Sequence, residues 1–163
     1  MIKIRKGIFE TNSSSIHALS VGQGEQVLPT ELKFNGGEFG WEHEVYRDTQ
    51  SKADYLCTGI TYCDDCLELR DKIIDTLSKY NIDVTFPEIV DSRYGGYEIE
   101  GGYYYIDHGS QVTDFIRKVV NDESLLMNFL FCEDSFIETG NDNDDTNFTE
   151  ESVNCLLYYE KGN

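Results

Sequence analysis

Apolar and polar positions change period several times along this chain, and each change marks an element. Residues 2–9 alternate, with Ile2, Ile4 and Ile8 set against Lys3 and Arg5, which predicts a strand. Thr11-Asn12-Ser13-Ser14-Ser15 reads as a turn, because these side chains bond their own backbone and compete with regular structure. Ile16 to Val21 alternates again, so the two strands are expected to form a hairpin. Residues 22–49 are Gly-rich, with one strand near Leu32–Phe34 and an aromatic group of Phe39, Trp41 and Tyr46.

Helical periodicity then takes over. One helix is predicted over about 50–61 and a second over about 65–80, with Leu69, Ile73, Ile74 and Leu77 on one face and Asn81 as its stop. Strands are expected at about 83–89 and 97–107, the latter folded into a hairpin at Gly101-Gly102. Ser110 has the character of an N-cap, ahead of Val112, Phe115, Ile116, Val119 and Val120 at helical spacing. A short apolar helix, Leu125–Phe131, follows. Ser135–Thr139 reads as a strand, 140–147 as a loop, and 153–159 as a last strand or helical turn. The order predicts a single α+β domain over 1–163: a mostly antiparallel sheet with about four helices packed on it, with a zinc staple as a further possibility.

Composition supports a folded chain. Apolar residues make up 39% of the 163 positions and aromatics 13%, enough to build a core. The opening MIKIRKGIFETNSSS carries no apolar run, and no stretch reaches the roughly 20 apolar residues of a membrane span, so a cytosolic setting is expected. Charge narrows the function. Lys and Arg number 13 against 31 Asp and Glu, a formal net charge of −18, which repels free nucleic acid and anionic membranes. The same charge suits a basic protein groove, or serves solubility alone. The longest acidic stretch, Glu133 to Glu151, holds eight carboxylates and no Lys or Arg. Its loop is no EF-hand, because counting from Asp142 puts Asn147 where Gly is needed and Val153 where Glu is needed. It is either a solvated loop or a phosphate-mimicking edge, and Asp142, Asp144, Asp145, Glu150 and Glu151 are the residues expected to contact a partner. The basic cluster Lys3, Arg5 and Lys6 is too small for a nucleic-acid site, and no phosphate-binding glycine loop is present.

Two constellations invite chemistry. Cys63-Asp64-Asp65-Cys66 is a CxxC, which can aim two thiolates at a tetrahedral zinc ion. Cys57 is a natural third ligand, and the fourth comes from Cys132, His43, His108 or Cys155, with Cys132 preferred as the softer donor. The competing readings are core thiols, since Cys66, Leu69 and Ile73 share a helical face, and a redox pair, which lacks its usual βαβ setting. Ser13-Ser14-Ser15 near His17, together with Asp107-His108-Gly109-Ser110, supplies the parts of a small hydrolase or nucleotide-modifying enzyme. The bland reading of both is a turn and a helix cap.

Three segments carry a resemblance: Phe9-Glu10-Thr11-Asn12-Ser13-Ser14-Ser15-x-His17, Tyr105-Ile106-Asp107-His108-x-Ser110, and Phe129-Leu130-Phe131 with Ser135-x-Ile137-x-Thr139-Gly140-Asn141-Asp142-Asn143. The chain resembles a group of small proteins from phages and prophages of Gram-positive bacteria. By size, charge and cysteine cluster it is similar to the anti-CRISPR proteins among small acidic phage proteins, which include zinc-containing inhibitors of type II-A Cas9. The resemblance implies a non-enzymatic inhibitor in the cytoplasm of a bacterial host. It would bind Cas9 or its guide complex on the surface that otherwise holds nucleic acid.

Overall fold

The computed structural model describes residues 15–141 and 155–161. In chain order, strands β1 (Ser15–Val21), β2 (Glu31–Lys33), β3 (Glu38–Phe39) and β4 (Glu44–Tyr46) precede helices α1 (Thr49–Ile60) and α2 (Cys66–Ser78). Strands β5 (Asp83–Thr85), β6 (Ile89–Asp91), β7 (Tyr97–Ile99) and β8 (Tyr105–Ile106) come next. A 3-10 turn, Gly109–Val112, leads into α3 (Thr113–Val120) and α4 (Glu123–Phe131), and β9 (Phe136–Asn141) and β10 (Leu157–Lys161) end the order.

The fold is α+β. Its main sheet is antiparallel, in the order β10-β1-β9-β4. His17 faces Lys161 on one side and Thr139 on the other. β1 therefore has a strand on each edge, and the expected hairpin with residues 2–9 is replaced by pairing with β9 and β10 from the far end of the chain. Residues 2–9 themselves lie outside the described part. Among the described residues three two-stranded pairs accompany it: β2 with β5 and β3 with β8, both parallel, and the β6–β7 hairpin.

Two strand expectations are corrected. The stretch 83–89 breaks at Phe86-Pro87-Glu88 into β5 and β6, because proline has no N–H to give a ladder. The predicted hairpin at Gly101-Gly102 does not form: β7 turns back on β6 and β8 pairs with β3. The turn is made instead by Gly95 and Gly96, at φ 89° and 79°, a region open to glycine. The helices sit close to where periodicity puts them. Asp48 caps α1 and Asp122 caps α4, each accepting a backbone N–H from three residues on. Ser110 is not the cap of α3; it lies in the 3-10 turn, and α3 starts at Thr113.

One buried cluster joins the elements. α1 gives Leu56 and Ile60, α2 gives Leu69, Ile73 and Leu77, α3 gives Phe115, Ile116 and Val119, and α4 gives Leu126, Phe129 and Leu130. They meet Leu19, Val21 and Ile137 of the main sheet. α3 and α4 have eight and nine residues, too short to persist alone, so this packing is what holds them. Among the described residues no helix is long and apolar enough to cross a membrane.

Candidate functional site

The serine, histidine and aspartate singled out in sequence do meet, at the N-terminal end of β1. The Ser15 N–H donates to Asp107 Oδ2 at 2.9 Å, which ties β1 to the segment after β8. Burial alone would raise the Asp107 carboxyl, but the Ser15 hydrogen bonds, with His108 and Lys161 nearby, carry it below its usual range. Lys161, unnoticed in sequence, is buried at the end of β10, and its Nζ donates to Ser15 Oγ at 2.6 Å and to Ser15 O at 2.7 Å. His17 Nε2 lies 3.1 Å from the Gly40 carbonyl, which can only accept, so Nε2 carries the proton. Nδ1 is then left to accept from the Tyr55 hydroxyl at 2.9 Å. Burial, helped by the Lys161 charge, pushes His17 down to about 3.

This geometry is that of a structural network. Both His17 nitrogens are engaged by groups other than a serine. Ser15 Oγ receives a proton donor from Lys161, and Ser15 is only 1% exposed. His108 stands aside, half-exposed, with Nε2 4.0 Å from Asp107. Ser13 and Ser14 lie outside the described residues.

The cysteines are likewise distributed by packing. Cys57 is on α1, Cys63 is in the α1–α2 turn and Cys66 opens α2, all buried in the common core. Burial pushes the Cys63 thiol up to about 11 and the Cys66 thiol up to about 12, and raises Cys57 as well. A zinc ligand must be a thiolate, a form that this burial disfavours in the metal-free protein. Cys132 caps α4 elsewhere, bridged to Gln26, with Sγ 3.4 Å from where a Cβ on Gly24 would stand. Of the other candidates, His43 bonds the buried Glu138 carboxylate at 2.8 Å and Cys155 is half-buried. Among the described residues no three His, Cys, Asp or Glu side chains are placed to hold a metal ion. The described structure therefore lends no support to Cys57, Cys63, Cys66 and Cys132 as a zinc site, and all four are buried, as small apolar side chains are. A chelator is expected to leave the melting temperature unchanged. Cys63→Ala with Cys66→Ala is expected to cost about 1–3 kcal/mol in thermal unfolding through lost packing. A transition that collapses on chelation would reinstate the metal.

Lys52 was also invisible in sequence, where a lysine on an amphipathic helix reads as solvated. It is 1% exposed, and its Nζ donates to Cys132 O at 2.8 Å and Ser135 O at 3.4 Å, tying α1 to the α4–β9 turn. Burial pulls it down to about 8.

What reaches solvent is different in kind. Asp142, Asp144, Asp145, Glu150 and Glu151 lie outside the described residues. A second acidic surface is formed by β3, β4 and β8. Glu38, Glu42 and Glu44 are exposed there, and Trp41 between them is 50% exposed. Trp41 Nε1 donates to Glu42 Oε1 at 3.2 Å. A Cβ on Gly40 would stand 3.1 Å from Glu42 Oε2 and 3.4 Å from the Tyr105 hydroxyl, so the acid and the phenol crowd over that glycine. Burial first, then Glu38 and Glu42, raises Tyr105. Tyr103, beside Tyr105 at 5.4 Å between ring centroids, is 78% exposed. Carboxylates interleaved with exposed aromatic rings make a surface that arginine can pair with and stack on.

No family model, curated protein or solved structure matches this chain.

Proposed function

We propose that the protein is a binding module that occupies a basic protein surface, and that its partner is a host CRISPR nuclease of the Cas9 type, whose nucleic-acid loading or cleavage it blocks. The observation that carries this reading is the Glu38–Glu42–Glu44 surface with Trp41 and Tyr103 exposed among the acids and Tyr105 half-buried beside them. A groove lined by Lys and Arg for a phosphate backbone presents the complementary charge. The net charge of −18 speeds encounter with such a groove and disfavours direct nucleic-acid binding. The choice of Cas9 rests on the resemblance to acidic phage inhibitors. The main contact surface in this reading is the β3–β4–β8 face, with the acids at 142–151 as a further contribution.

A pull-down with purified Cas9 at low and high salt tests it. Retention at low salt that falls steeply as salt rises is the expected result, since screening acts on exposed charge. Absence of binding at low salt overturns the reading. Salt-independent retention overturns its electrostatic basis.

A further inference from the structure

A cavity of about 330 Å³ opens between the end of α1 and the β6–β7 hairpin. Three tyrosines line it, Tyr62, Tyr97 and Tyr104, together with Glu98, Ile99 and Gly95-Gly96 of the turn. Two of the rings are held in place by their surroundings. The Tyr62 hydroxyl donates to Ile106 O at 3.1 Å and accepts from Ile106 N at 3.2 Å, and a Cβ on Gly109 would stand 2.5 Å from its ring. A Cβ on Gly36 or Gly102 would stand 2.2 or 2.3 Å from the Tyr104 ring, so those glycines are what let it lie flat against the backbone. Tyr97 is half-buried and packs against the core.

The electrostatics of the cavity have one sign. Thr61, the residue after α1, lines it, so the negative end of a twelve-residue helix faces it. Its carbonyl oxygen is 3.8 Å from where a Cβ on Gly96 would stand. Glu98 is exposed, carries a carboxylate and opposes no cation within the lining. Tyrosine rings in the lining, a helix C-terminus and one carboxylate are the parts of a cation receptor.

We propose that this cavity is a cage for the guanidinium of an arginine side chain presented by a basic protein partner. The inference rests on the reading of the protein as a binder of basic protein surface and names where one anchoring side chain enters. Guanidinium is favoured over ammonium because a planar, weakly hydrated cation stacks on tyrosine while a fork of N–H groups reaches Glu98 and Thr61 O. Pre-held rings lower the ordering cost of binding.

Two probes separate the cage from the broader reading. Calorimetry with a hexa-arginine peptide at low salt asks only whether the surface takes basic chains. Nuclear magnetic resonance titration with a pentapeptide carrying one central arginine asks where. Shifts centred on Gly95, Gly96, Tyr97 and Tyr104 are expected. A loss of affinity of about tenfold is expected in Tyr97→Ala, and again in the exposed Glu98→Lys, which leaves the packing alone. Tyr94→Ala, on the same turn and 99% exposed, is expected to bind as wild type. If hexa-arginine binds but the single-arginine shifts lie elsewhere, or survive both variants, the cage is overturned and the broader reading stands. If hexa-arginine does not bind, both fall. Equal affinity for the lysine pentapeptide overturns the guanidinium assignment.

Discussion

Lowering the pH from 7 to 4.5 is expected to remove about 2.5 kcal/mol of folding stability through His17 alone. The ring is fully buried and held neutral, at about 3, against 6.5 in the unfolded chain. The folded pKa is thus depressed, so the unfolded chain takes up a proton first as acid is added. Stability is complete above 6.5 and falls steadily between 6.5 and about 3. The groups facing the ring explain the direction. Tyr55 donates to Nδ1, Gly40 accepts from Nε2, and the Lys161 ammonium opposes a second positive charge. Asp107 pulls the other way but is outweighed. Denaturant unfolding at stepped pH, compared with His17→Gln, isolates the effect, because glutamine can give and take one hydrogen bond each without titrating. A steep wild-type slope and a flatter variant slope between pH 7 and 4.5 are expected. Parallel slopes would show that His17 is not held neutral by the fold. The window stops above the range where Asp48 and Asp107, both held below the ordinary carboxylate value, begin to take up protons.

The same residue shows what could be read from sequence and what could not. Periodicity placed α1, α2 and α4 within about two residues of their ends, because their apolar faces recur at helical spacing and each spacing is local. β1 was also legible as a strand. Its neighbours were not: β9 and β10 lie more than a hundred residues away, and nothing in Ile16–Val21 names a partner. The local serine turn suggested a hairpin instead. The Gly95-Gly96 turn carried a hairpin signal equal to that of Gly101-Gly102, and the neighbouring pairing with β3 decided between them. Sequence did gather Ser15, His17 and Asp107 as a constellation. It missed Lys161, and with it the fact that a buried ammonium, not a histidine, is the serine's partner. It left the CxxC open between metal ligands and core thiols, because spacing along the chain does not show that Cys57, Cys63 and Cys66 all lie in the buried cluster. It placed binding on the longest acidic run, since sequence counts charges along the chain. Those acids lie outside the described residues, while the β3–β4–β8 surface collects Glu38, Glu42 and Glu44 with Tyr105 from segments about sixty residues apart, which no run of letters reveals.

That surface is where a charge reversal is expected to have its largest effect. Glu38→Lys, Glu42→Lys and Glu44→Lys together are expected to weaken association with the basic partner by at least a hundredfold at low salt, because like charges set opposite each other cost several kcal/mol. The three positions are exposed, so the fold is expected to survive, and thermal unfolding checks this. Net charge by itself must be separated from placement. Glu68, Asp71 and Asp75 are exposed on α2, and reversing them gives a control with the same change in net charge. Each triple variant contains three reversals of two units and moves the formal charge from −18 to −12. Both lose the same long-range attraction, so both are expected to associate more slowly. The β3–β4–β8 variant alone is expected to dissociate faster as well, since contacts made within the complex govern the off-rate. Equal losses in the two variants, confined to the on-rate, would reduce the acidic surface to steering and leave the contact face elsewhere on the molecule.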